Sequence, residues 1–160
     1  ERLNNPTPWT KEALTHFNNN MRNIYRLLAC SGQQAPQEAP YALVYRFNVP
    51  AEAEAVTVDW YGSELLPALQ ALPGLFRARL FEVDAEISNI KTAERTIYGG
   101  GPGEQKYLAY FEMSLPDIHR SPEWKTITQA ASCAEKLASL QNVFEEVSWL
   151  EFVMYSPDVP

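Results

Sequence analysis

The sequence predicts an α+β fold, a split βαβ arrangement in the order β-α-β-β-α-β, with helices on one face of an antiparallel sheet. Three observations predict it. Runs rich in aromatic and aliphatic residues recur at 41–47, 75–83, 106–113 and 147–155. Amphipathic helical patterns fill the gap after the first run and the gap after the third. Glycine and proline punctuate the joins, and 46% hydrophobic against 21% charged residues is enough for a buried core. The 160 residues suit one domain, or one domain and an appendage.

Thr7-Pro8-Trp9 reads as an N-cap followed by proline in the first turn, opening a helix to about Phe17 that Asn18, Asn19 and Asn20 break. Residues 21–28 have strand content in Ile24, Tyr25, Leu27 and Leu28. Residues 29–40 are polar and proline-rich, which predicts a linker. Tyr41 to Phe47 is a strand, ended by Asn48 and Pro50. From about Ala55 to Leu72, Val58, Tyr61, Leu65, Leu69 and Leu72 form the buried stripe of a helix. Pro67 lies inside it and predicts a kink or break. Pro73-Gly74 then stops the helix, and Leu75 to Val83 is the second strand.

Residues 84–105 read three ways: a strand extension, a short helix around Ile90 to Thr96, or a lid. Gly99 to Gly103 predicts a hairpin turn, with no Lys-Ser/Thr to make it a phosphate loop. Lys106 to Met113 is the third strand. Ser121-Pro122-Glu123-Trp124 caps and opens a second helix, and a helical stretch from Ser132 to about Glu145 puts Cys133, Leu137, Leu140 and Phe144 on one face. Val147 to Tyr155 is the last strand. The N-terminal helix and strand mirror those of 121–155. The chain therefore reads as the tail of a preceding repeat (1–28), a linker (29–40) and a complete repeat (41–156). The N-terminal strand is expected to find its edge in a partner subunit. The second face of the sheet is expected to be apolar and hidden against another copy, which predicts a homodimer.

A net charge of −7 disfavours nucleic acid and anionic membrane as partners. No apolar run approaches the roughly 20 residues of a membrane span, and no signal segment opens the chain. Cys30 and Cys133 stand alone, without CxxC or histidine spacing, so neither a metal site nor a disulfide framework is expected. Reduced thiols predict a cytoplasmic location. No Gly-x-Ser-x-Gly elbow is present.

Several side chains could carry chemistry. Histidine as a residue type titrates near neutrality, so His16, or His119 between the third strand and second helix, could move a proton if placed in a pocket. Tyr45, Trp60, Tyr61, Tyr107, Tyr110 and Trp124 fall on elements that meet beneath the helices, where aromatic walls suit a flat ligand; each also fits an ordinary core. Asp59 and Glu64 flank the helical stripe, and Glu112 sits in an apolar strand, where a proton-moving role competes with a salt bridge to Arg46 or Arg79.

Trp60-Tyr61, Leu66-Pro67, Leu72-Pro73-Gly74-Leu75 with Arg77 and Arg79, Lys106 to Tyr110 with Glu112, and Ser121 to Trp124 carry a family likeness. Thr7 to Thr10 and Asn23 to Arg26 match the end of a preceding repeat. Together they resemble the ferredoxin-like, dimeric α/β-barrel superfamily, in its EthD-like branch, from Thr7 to about Tyr155. The resemblance implies cofactor-independent monooxygenases, polyketide cyclases, dehydratases, decarboxylases, isomerases or some haem enzymes. The family commonly has histidine just before this Leu-Pro; here the position is Leu65. The expected function is a cofactor-independent enzyme acting by a proton shift on a hydrophobic, polyketide-like or cyclic metabolite. Tyr61, Glu64, Glu112 and His119 are the catalytic candidates. Tyr45, Trp60, Leu65, Tyr107, Tyr110 and Trp124 are the substrate-binding ones. The alternatives are a non-catalytic binding or assembly module, which Leu65 favours, and a monooxygenase with or without haem.

Overall fold

The computed structural model describes residues 5–17, 21–33, 38–98 and 101–151. They fall into two compact units: the chain up to Arg26 with Glu82–Glu104, and Leu27–Phe81 with the chain from Gln105 onward.

In the first unit, α1 (Pro8–Thr15) starts as expected, the Thr7 hydroxyl accepting from the Thr10 N–H. Residues 84–105, which the sequence leaves open, hold two short helices, α4 (Ala85–Ser88) and α5 (Ala93–Tyr98). Asp84 caps α4 through the Ile87 N–H, and the buried Arg95 donates to the Ser88 and Ile90 carbonyls, which ties the two helices together. Gly101 bridges to Met21 and the Gly103 N–H donates to Asn23, so this part of the glycine run pairs with the N-terminal segment; Gly99 and Gly100 lie outside the described residues.

The sheet has five strands: β1 (Tyr25–Gly32), β2 (Tyr41–Asn48), β3 (Leu75–Val83), β4 (Tyr107–Met113) and β5 (Gln141–Trp149), in the order β1-β3-β4-β2-β5. The four from Tyr41 onward have the split βαβ order, with β2 antiparallel to both β4 and β5. Leu43, Tyr45 and Phe47 lie opposite Phe111, Ala109 and Tyr107, which puts all six on one face.

Helices α2 (Glu54–Trp60), α3 (Leu66–Gln70), α6 (Pro122–Thr128) and α7 (Ala131–Ala138) belong to the same unit. Tyr61 stacks on Phe47 with centroids 5.1 Å apart, and Trp124 meets Phe111 edge-on at 5.3 Å, so helices cover that face. Leu43, Phe47, Tyr61, Leu66, Leu69, Leu80 and Met113 are its fully buried centre, each contributing about 1.5–3 kcal/mol by burial.

Four expectations change. First, β1 continues to Gly32 through residues read as linker. A β-carbon at Gly32, where φ is +85°, would collide with the Phe76 carbonyl, so the strand closes on a residue that only glycine fits. Its edge is β3 of the same chain, not a partner.

Second, of the kink or break expected at Pro67, the break is absent and the helix carries an irregular turn instead. The proline ring cannot approach the Ser63 carbonyl, and the chain widens into a π turn over Tyr61–Leu65, with the Leu66 N–H donating to the Tyr61 carbonyl. Backbone angles stay helical on both sides.

Third, the last helix ends at Ala138, and the strand starts at Gln141, so Phe144 is a strand residue. Val143, Phe144 and Val147 are β-formers that happened to extend the helical stripe. The expected strand residues from Phe152 to Tyr155 lie outside the described residues.

Fourth, the sheet face away from the helices is not plainly apolar. Glu112 accepts from Arg77 Nη2 at 2.6 Å and from Arg79 Nη2 at 2.5 Å, Arg79 lies over the Tyr110 ring, and Arg46 lies over Phe144.

Candidate functional site

Between the helix-covered face and its helices lies a cavity of about 190 Å³. Leu43, Leu65, Leu69, Leu137, Phe111 and Trp124 give it apolar walls; Tyr45, Tyr61, Thr128 and Glu145 bring polar atoms. It is small beside the ~300–1,000 Å³ of pockets that hold drug-sized ligands.

Each polar group has a local reason to be there. Tyr45 and Glu145 are direct cross-strand partners of β2 and β5. The π turn carries Tyr61, while the Ser121 hydroxyl accepts from the Trp124 N–H and so fixes the first turn of α6 over Phe111. Thr128 donates back to the Trp124 carbonyl. Among the described residues, neither the Tyr45 nor the Tyr61 hydroxyl has a protein hydrogen-bond partner.

Burial pushes the Tyr61 phenol well above its usual range, with Tyr45 and Cys133 adding to the rise. Tyr45 is raised by burial and then by the Glu145 carboxylate. Both phenols are therefore neutral hydrogen-bond donors at physiological pH, suited to polarising a carbonyl and unsuited to taking a proton.

These shifts fix a sign. The folded chain holds its phenol protons more tightly than the unfolded chain does. The corresponding stability is complete below about pH 10 and is lost as pH rises toward the folded values. The urea midpoint is expected to fall across that alkaline window, and Tyr61→Phe is expected to remove the largest share of the fall. A midpoint that is flat across the window in the unaltered chain would contradict the burial of these phenols.

Of the residues singled out in the sequence, Tyr45, Tyr61, Leu65 and Trp124 line the cavity. Trp60 and Tyr107 are core: Trp60 meets Tyr61 edge-on beneath the Lys136 ammonium, and Tyr107 stacks on Phe47. Tyr110 and Glu112 stand on the opposite face, where they help to line a separate hollow of about 130 Å³. Glu64 is exposed.

His119 is buried in the short turn Ile118–Arg120 and does not line the cavity. Its Nε2 accepts from Arg120 Nε at 3.1 Å and lies 3.6 Å from the Glu145 carboxylate, while its Nδ1 is buried without a partner. His16 caps the end of α1 and is exposed.

Glu145 and Thr128 are the polar cavity residues that sequence reasoning missed, and Glu145 is the charged one. Read as the end of a helix, it had no face; read as a strand residue two before Val147, it shares the helix-side face with Tyr45 and Leu43.

Among the described residues no three His, Cys, Asp or Glu side chains gather as metal ligands would, and no helix is long and apolar enough to cross a membrane. Cys30 is exposed and Cys133 buried, both as free thiols. No family model matches the chain, and no curated protein matches it. A similar solved structure is that of LmHde, a haem-degrading enzyme from Listeria monocytogenes. It is 17% identical, with a TM-score of 0.43, over 77% of this chain and 68% of that one.

Proposed function

We propose that this chain binds a small hydrophobic metabolite in the cavity between sheet and helices and promotes a proton-shift reaction on it without a cofactor. The reaction class is cyclisation, dehydration, decarboxylation or isomerisation. One observation carries this reading: two phenol hydroxyls without protein partners line an apolar cavity that also receives a carboxylate. Tyr45 and Tyr61 hold and polarise a substrate oxygen. Glu145, with His119 beside it, moves the proton in place of Glu64 and Glu112, which stand elsewhere. Leucines at 43, 65, 69 and 137 exclude water and hold the substrate in a reactive pose.

The haem reading has less support. Neither His16 nor His119 lines the cavity, and its volume is below the ~300–1,000 Å³ of pockets for drug-sized ligands. The homodimer remains part of the proposal. Val44 and Leu108 are half-buried on the face away from the helices, and Phe144 beside them is 41% exposed, so a second copy has apolar surface to cover.

A native mass spectrum of the purified chain tests both parts. Two subunits and a retained small organic mass are expected, and Leu137→Trp, which fills the cavity, is expected to lose the ligand and keep the subunit number. A single-copy particle ends the dimer reading. A ligand mass unchanged by Leu137→Trp ends the cavity reading.

A further inference from the structure

Resting on that reading of the cavity, we infer that its occupant is a protonated hydrophobic amine: an apolar body with one cationic head, the head against Glu145. Among the described residues, Glu145 is the only charged side chain that lines the cavity. The one basic group near its carboxylate among the described residues is His119, whose Nε2 lies 3.6 Å away but already accepts from Arg120 Nε, and no Lys or Arg pairs with it. A neutral ligand leaves this carboxylate without a matching charge, and an anionic one is repelled by it. A cation satisfies it with a charge-assisted hydrogen bond.

The remaining walls agree. The rings of Tyr45, Tyr61, Phe111 and Trp124 line the same cavity, and aromatic faces attract ammonium groups. Tyr45, the cross-strand neighbour of Glu145, brings its ring beside the carboxylate, where the head would lie. Leu65, Leu69 and Leu137, from the helices, supply apolar surface for the body. The Glu145 side chain is 47% exposed, so the charged end sits at the mouth, keeps part of its hydration and enters last. The polarity thus runs from a wet acidic mouth to a dry aliphatic wall, which is the polarity of an arylalkylamine.

The test is a titration of the full chain with three probes of matched shape: phenethylamine, phenethyl alcohol and hydrocinnamate. Calorimetry gives the affinities, and tryptophan fluorescence reports on Trp124. The amine is expected to bind about tenfold more tightly than the alcohol, the acid more weakly than either, and the amine's advantage is expected to shrink with added salt. In Glu145→Gln the advantage of amine over alcohol is expected to disappear. An alcohol that binds as well as the amine, in a manner Leu137→Trp abolishes, overturns the charge inference and leaves the cavity reading standing. If none of the three binds, both fail. An amine preference that survives Glu145→Gln overturns the assignment of the head group to Glu145.

Discussion

Tyr61→Ala is expected to lower the free energy of unfolding by about 3–5 kcal/mol, the range for truncating a buried aromatic ring. Tyr61 is 1% exposed, stacks on Phe47 at 5.1 Å and meets Trp60 edge-on at the same distance. It also occupies the π turn, where the ring is held by the widened backbone before Pro67. Deleting it opens a void against the existing cavity, and the sheet below cannot rise to fill it because Phe47 is pinned by Tyr107 on its other side. Tyr61→Phe separates packing from chemistry. The hydroxyl has no protein partner to lose, so the Phe variant is expected to unfold within about 1 kcal/mol of the parent. Urea unfolding with an unchanged slope reads both. An alanine variant as stable as the phenylalanine one would show that the stack does not hold the helix to the sheet.

The contrast between fold and site follows from what each depends on. Alternation at Leu43, Tyr45 and Phe47, and the stripe Tyr61, Leu65 and Leu69, are local patterns, and they place the sheet and its covering helix without tertiary knowledge. Three of the four singled-out residues that line the cavity, Tyr45, Tyr61 and Leu65, sit on those two patterns.

What the sequence hid depends on pairing across distance. Tyr107 and Tyr110 are both aromatic and three residues apart, yet one is buried under the helices and the other faces away. Strand alternation already puts them on opposite faces, and the pairing of β4 with β2 shows which of the two the helices cover. Glu145 was hidden by a boundary: Cys133, Leu137, Leu140 and Phe144 keep helical spacing through a turn in which the chain has already become a strand. The edge taken by β1 was hidden because nothing local says which strand a lone N-terminal segment will join.

Glu112→Gln is the second large effect, with an expected loss of about 3 kcal/mol, the low end of the cost of breaking a buried ion pair. Glu112 is 12% exposed at its side chain and accepts from Arg77 through Nε and Nη2 and from Arg79 through Nη2. The amide keeps the shape and removes the charge. Two guanidiniums are then left converging on a neutral group, Arg79 with its Nε already buried and unpaired. The low end applies because both arginines retain some water, at 22% and 23% exposure. Repulsion between them makes the loss salt-sensitive, so raising the salt is expected to recover part of it.

The cluster lies on the face through which two copies are proposed to stack, and that adds a second readout. If the face is an interface, desolvation in the dimer raises the penalty, and Glu112→Gln is expected to shift subunit number along with the urea midpoint. Replacing all three residues by apolar ones (Arg77→Met, Arg79→Met and Glu112→Leu together) removes the unpaired charge as well as the pair. That variant is expected to be close to the parent in stability, because the desolvation cost of the triad disappears with its attraction. A Glu112→Gln loss below about 0.5 kcal/mol would instead make this an exposed surface pair of little worth, and would take the proposed interface with it.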